Sequence, residues 1–188
     1  MNKTKRKIFE TSMKLFAEKG YDATSIEDIT ATVGVAKGTL YYHFSSKEEI
    51  FEFLIGEGVK LLKNSIEIKT EKLDKSIDKI KAIVLIELKV LVKYEDFMTI
   101  VLSEIWGSGP RSQLCKNYVF DYIQLIEKIV KEGIEKKEII EGDANVIASG
   151  IFGFTCSCLI YKMRRGKDIN IPELYAEIEK TFLRKLKR

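Results

Sequence analysis

Proline is scarce in this 188-residue chain, which holds only Pro110 and Pro172. Long proline-free runs rich in Lys, Glu, Ile and Leu point to an all-helical fold. Cysteine is scarce too, and its count of 3 is odd, which argues against a secreted disulfide framework. Cys156 and Cys158 would stand about 200° apart on a helix and cannot chelate one ion. They read as small buried hydrophobes in a reducing cytoplasm. There is 1 histidine, His43. Without a nucleophile–base pair, metal-ligand spacing or a glycine-rich phosphate loop, the sequence offers no catalytic residue, no metal site and no cofactor site. An excess of one charge is also missing. The net charge is +4, and residues 1–50 carry 8 Lys/Arg against 7 Asp/Glu. The polar, charged N-terminus does not read as a signal peptide.

Apolar residues make up 45% of the chain and charged residues 32%, the balance of a soluble globular protein. A chain of this length buries roughly two thirds of its unfolded surface and needs no staple. Local basic clusters stand out at Lys3, Lys5, Arg6 and Lys7, at Lys162, Arg164, Arg165 and Lys167, and at the C-terminus. Residues 144–161 form an uncharged run followed by basic residues, close to the minimum for a membrane span. Asn145, Ser149, Thr155 and Ser157 interrupt it, and its neighbours are amphipathic. A core or interface helix is the better reading, with a membrane-associated adaptor as the alternative.

Helical periodicity organises the chain. Ile8, Ser12, Leu15 and Phe16 mark a first helix that stops near Gly20. Thr24-Ser25-Ile26-Glu27 reads as a capping box opening a second helix, which Gly34 ends. A short helix from Ala36 to about Phe44 follows, and Ser46-Lys47-Glu48-Glu49 caps a fourth running towards Asn64. Further helices are expected over about 73–93, 94–106, 112–136 and 143–163, and from Pro172 to Leu186.

Three helices, the last two joined by a glycine turn, form the geometry of a helix-turn-helix, whose second helix enters the major groove of double-stranded DNA. On residues 36–44, Leu40 and Phe44 can anchor inward at i, i+4 spacing. Lys37, Gly38 and Thr39 then stand at the helix start, where Gly38 permits close backbone approach and Thr39 suits a base edge. Tyr41, Tyr42 and His43 can reach phosphates or sugars. Lys47 is expected to add a phosphate contact, as are Thr24 and Ser25 at the second helix. The basic arm Lys3–Lys7 is expected to lie along the DNA backbone or minor groove.

The stretch FAEKGYDATSIEDITATVGVAKGTLYYHFSSKEEI resembles the DNA-binding signature of the tetracycline-repressor (TetR) family of bacterial regulators. The likeness runs over about residues 4–50. Ser12 and Thr30 depart from it, standing where the family usually has alanine against the core. The resemblance implies an all-α subunit, with a helix-turn-helix domain over 1–48 and a helical ligand-binding and dimerisation domain over 49–188. It implies a homodimer through the last two long helices and a repressor released by a small molecule. The stretch from Ile100 through Leu186 further resembles members that sense fatty acyl thioesters.

Two features of the residues agree independently. The run 143–163 is apolar nearly all round, and Ser149, Gly153 and Ser157 form a small-residue ridge on which another helix can close. Leu174, Ile178 and Phe182 could complete a four-helix bundle across a twofold axis. The second half is also rich in aromatics. Tyr94, Phe97, Trp106, Tyr122 and Phe152 are the candidate effector contacts, with Glu104 and Arg111 close to Trp106.

Overall fold

The structure is a computed structural model that describes residues 2–166 and 168–188. Among these residues all the regular structure is helical apart from a single isolated β-bridge. Residues 1–59 with 94–118 form one compact unit, and residues 60–93 with 119–188 form a second.

The first unit contains α1 (Lys3–Lys19), α2 (Ile26–Val33) and α3 (Lys37–His43), together with the N-terminal part of α4 (Lys47–Thr70). It also holds α6 (Glu95–Ile105) and the start of α7 (Pro110–Glu135). Ile8, Leu15, Phe16, Ile29, Leu40, Phe44, Ile50, Phe51 and Leu54 form its core. The expected basic arm is not an arm: α1 begins at Lys3, with the Asn2 side chain accepting from the Lys5 amide. Ser12 and Thr30 are buried, as the departures from the family pattern require. The Thr30 hydroxyl donates to the Glu27 carbonyl at 3.1 Å, whereas the Ser12 hydroxyl has no partner.

The second unit contains α5 (Ser76–Lys93), α8 (Ala144–Arg164) and α9 (Ile171–Ile178), with the remainders of α4 and α7. The α4 helix runs past the expected Asn64 to Thr70, because Leu62 and Ile66 continue its buried stripe. Asp143 caps α8 and Asn170 caps α9, with Pro172 in its first turn. The expected final helix runs on to Leu186, with a π-helical turn, Glu179–Leu183, inserted before α10 (Arg184–Leu186). That wider turn keeps Leu183 and Leu186 both inside. The Ile140 amide then donates to the Leu186 carbonyl at 2.9 Å. Among the described residues, α8 is the one helix long and apolar enough to cross a membrane. Its inward side, which includes Ala148, Ile151, Thr155, Cys156 and Leu159, is buried, and the helix packs against α5.

Close packing fixes one backbone position sharply. A Cβ on Gly58 of α4 would strike the Phe97 ring of α6. Glycine to alanine in a helix ordinarily gains up to about 1 kcal/mol, but overpacking costs about 1–3 kcal/mol. Gly58→Ala is therefore expected to lower stability in urea denaturation, against the trend of helix propensity.

Candidate functional site

The turn between α2 and α3 builds the first candidate site. Ser25 caps α2, accepting from the Asp28 amide at 3.0 Å while Asp28 accepts from the Ser25 amide at 2.9 Å. The box therefore runs from Ser25 to Asp28, one residue later than the Thr24-to-Glu27 box expected from the sequence. Glu27 instead pairs with Lys37 across the turn, and that hydrogen bond holds its carboxyl below the usual range. Gly34 adopts φ 78°, a left-handed conformation that glycine reaches without strain, and so lets α3 start at once.

On α3, Leu40 is fully buried and Phe44, just beyond the helix, is 1% exposed, so the opposite face turns outward. Gly38 is exposed and no atom lies within 4 Å of where its Cβ would stand. Thr39 and His43 are half-buried, and Tyr41 and Tyr42 are exposed. The Tyr42 and His43 rings meet edge to face at 5.0 Å. The structure thus brings Lys37, Gly38, Thr39, Tyr41, Tyr42 and His43 onto one small helix.

One expected contact is corrected, and another residue has a second role. The Thr24 side chain is buried, and its hydroxyl donates to the Gly20 carbonyl at 2.8 Å. The Lys47 ammonium donates to the Tyr21 and Thr24 carbonyls at 2.9 and 2.8 Å and lies 4.2 Å above the Tyr21 ring. Thr24 is thus turned away from any duplex, whereas Lys47 spends two of its three N–H groups on the α1–α2 corner and keeps one. The basic N-terminal cluster is likewise partly engaged. Lys5 sits over the Phe44 and Phe53 rings, and Arg6 pairs with Glu10. Tyr21 is covered from α7 as well, by the Arg111 guanidinium at 4.0 Å, which also pairs with Asp22 and Glu104. Glu104 and Arg111, expected near an effector, are spent on this corner.

The candidate effector residues fall in different units. Phe97 is buried against Gly58, Tyr94 is half-buried, and Trp106 is 91% exposed at the α6–α7 corner, all in the first unit. Tyr122 and Phe152 lie in the second unit, ring to ring at 5.7 Å. Beside them stands a residue the sequence reading passed over, Glu87 of α5, which is fully buried. Its position was legible in principle. Ile80, Val84, Glu87 and Leu91 follow the i, i+4, i+7, i+11 stripe of the buried face. The Cys156 thiol donates to its Oε1 at 3.5 Å. Its Oε2 and the Tyr122 hydroxyl are buried without a hydrogen-bond partner. Burial raises the Glu87 carboxyl from 4.5 to about 8, and it also pushes up the Tyr122 phenol and the Cys156 thiol.

Each half yields a prediction. Lys47→Ala strands two carbonyls at the α1–α2 corner and is expected to lower the stability of the folded chain by about 1–3 kcal/mol, measured by thermal unfolding without DNA. In the second unit, the folded chain keeps a proton on Glu87 that the unfolded chain releases between pH 4.5 and about 8. Wild-type stability therefore falls as pH rises through that window. Glu87→Gln has no such proton, and Tyr122 and Cys156 facing it remain protonated. The variant's melting temperature is expected to depend less on pH.

The comparisons with known proteins agree with this arrangement. Residues 8–54 match the family described as bacterial regulatory proteins, tetR family. A Clostridium perfringens structure named as a candidate fatty acid metabolism regulator is 34% identical, with a TM-score of 0.90 over 97% of this chain and 99% of that one. The HTH-type transcriptional regulator YerO of Bacillus subtilis is 31% identical over 163 residues, which cover 80% of this chain and 54% of YerO. IcaR of Staphylococcus aureus, negative regulator of a biofilm operon, is 42% identical over 74 residues, covering 39% of this chain and 40% of IcaR. The matches thus span about half, or less, of these two curated relatives. With its helix-turn-helix, its all-α architecture and these likenesses, the chain belongs to the tetR family of bacterial regulatory proteins, which are DNA-binding transcriptional regulators and not enzymes.

Proposed function

We propose that the chain is a repressor that binds a palindromic operator in double-stranded DNA as a homodimer, and that a small apolar or amphipathic effector releases it. It would do so in the cytoplasm. The observation that carries this reading is the outward polar face of α3, with Tyr42 83% exposed opposite a fully buried Leu40. Residues 1–48 serve as the DNA-binding domain, and 49–188 serve for effector binding and dimerisation. Lys37, Gly38, Thr39, Tyr41, Tyr42 and His43 meet the duplex, with Ser25 at the start of α2. Thr24 and Lys47 hold the corner behind them.

The outer side of α8 supports the dimer. Val146, Ser149, Gly153, Ser157 and Ile160 are all exposed along it, and a Cβ on Gly153 would meet nothing within 4 Å. A row of small and apolar side chains open to water suits a second helix, and α8 serves that contact rather than a membrane. Two copies would present their α3 helices about 34 Å apart, one turn of B-DNA. The likeness to the Clostridium perfringens protein supports an effector from fatty acid metabolism, with a fatty acyl thioester as the leading class. Tyr122 and Phe152, already in contact, are the best placed of the aromatic candidates. The effector need only favour a DNA-incompetent arrangement by about 1–3 kcal/mol.

Selection of bound sequences from random DNA tests the reading. It is expected to return an inverted repeat, and a screen for released complexes then identifies effectors. Thr39→Ala is expected to relax base preference at particular positions of the site, by about 1–3 kcal/mol of discrimination. Gly153→Leu is expected to keep full helix content yet sediment as a monomer. Recovery of no sequence preference would overturn the DNA reading, and normal Gly153→Leu dimers would overturn the interface.

A further inference from the structure

The α5 helix buries Ile80, Ile83, Val84, Glu87, Leu88 and Leu91. At about 100° per residue these share one side, and Ala82, Leu85 and Lys89 fall on the other. A helix with one core face ordinarily turns a polar face outward. From Ala82 to Val92, however, the outward side of α5 carries a single charge, Lys89. Ala82, Leu85 and Val90 are half-buried there, and Ile86 is 9% exposed at the margin. With Ser65, Ile68 and Lys69 of α4 they line a groove of about 490 Å³ that lies wholly within the second unit. Ile68 is 70% exposed, so one apolar wall of this groove is open to water.

The charges of the groove are of one sign. Lys69 and Lys89 line it and no carboxylate does. Other lysines of these helices have partners: Lys63 pairs with Asp121 at 3.9 Å and Lys81 with Glu179 at 2.8 Å. Among the described residues, Lys69 and Lys89 have no ion-pair or hydrogen-bond partner. The Ser65 hydroxyl donates to the Leu61 carbonyl at 2.8 Å, which leaves the two ammonium groups as the side-chain donors of the groove. Lysine stems lie readily along apolar surface while their heads stay in water. The size also selects an occupant. Small-molecule sites measure about 300–1,000 Å³, and Ala82 to Val90 spans about 12 Å of helix axis. That is room for one alkyl chain, and far less than the roughly 800 Å² that a stable protein partner covers.

We propose that the α4–α5 groove binds a free single-chain alkyl carboxylate, its chain against Ile68, Leu85, Ile86 and Val90 and its carboxylate paired with the lysines of the groove. This site is separate from the effector contacts at Tyr122 and Phe152, and it does not depend on DNA binding. An alkyl chain withdraws the apolar walls from water, and a carboxylate supplies the counter-charge that the lysines lack. An alkyl cation of the same length would cover the same walls but meet two like charges.

The test titrates the full chain with decanoate and with decyltrimethylammonium, both below their micellar concentrations and at low salt, by calorimetry. Decanoate is expected to bind about tenfold more tightly, the combined worth of two exposed ion pairs, and added salt is expected to shrink that preference. The double variant Lys69→Gln, Lys89→Gln is expected to erase it. Both lysines are exposed, so this variant keeps its fold, which circular dichroism checks. Ala82→Trp fills the groove and is expected to weaken decanoate about tenfold or more without changing how the chain sediments. A photoreactive alkyl-diazirine decanoate, mapped after trypsin digestion, is expected to label the peptides 64–69 and 82–89. No measurable binding of decanoate, equal binding of the cation, or a preference that survives the double variant would each overturn the inference. A changed assembly state in Ala82→Trp would make the groove an interface between copies and overturn it too. Label on peptide 117–128, which holds Tyr122, would place decanoate at the proposed effector contacts, overturning this inference while leaving that reading standing.

Discussion

Burial of Leu40 and Phe44 sets the direction in which α3 faces, and the first unit is arranged around it. Leu40 is fully enclosed, and Phe44 meets Phe53 edge to face at 5.4 Å. A helix of only 7 residues has little stability of its own, so tertiary packing must supply it. Those two anchors, the left-handed Gly34 and the Glu27–Lys37 pair supply it. With one side committed inward, the opposite side shows its two tyrosines to solvent, with Thr39 and His43 half-buried beside them.

Behind α3, the corner between α1 and α2 is braced from two directions. Lys47 reaches back from α4 to the carbonyls of Tyr21 and Thr24, and Arg111 closes over the other side from α7. Tyr21 is thereby held between a lysine and an arginine, and burial raises its phenol. Cations that would ordinarily serve a phosphate surface serve here as struts. The corner behind α3 therefore depends on Arg111 of α7 as well as on Lys47 at the start of α4.

Much of this was legible in the sequence. Apolar spacing located Leu40, Phe44 and the helix ends, because those depend on neighbours three or four residues away. The Thr24-to-Glu27 spacing places the capping box one residue early: the box is Ser25 to Asp28, while Thr24 is buried and Glu27 pairs with Lys37. Lys47 looked like a phosphate ligand because a cation near a helix start ordinarily is one. Its true partners lie 26 and 23 residues earlier in the chain, a separation that no periodicity reports. Thr24 differs: its hydroxyl turns back to Gly20 and Leu15, only 4 and 9 residues away, because the side chain is buried at the corner. In the second unit the aromatics gave Tyr122 and Phe152, and the register of α5 would have exposed Glu87 as a charge on a buried stripe. The π turn after α9 has no evident signature in the residues that form it.

The account stands on the outer face of α3 lying against a duplex. Mild iodination of the tyrosines, read residue by residue by mass spectrometry with and without selected DNA, addresses that contact directly. Tyr41 and Tyr42 are expected to react readily in the free chain and to be shielded once DNA is bound, while Tyr161 on α8 reacts equally in both. Full reactivity of Tyr42 in a chain saturated with its DNA would contradict the account.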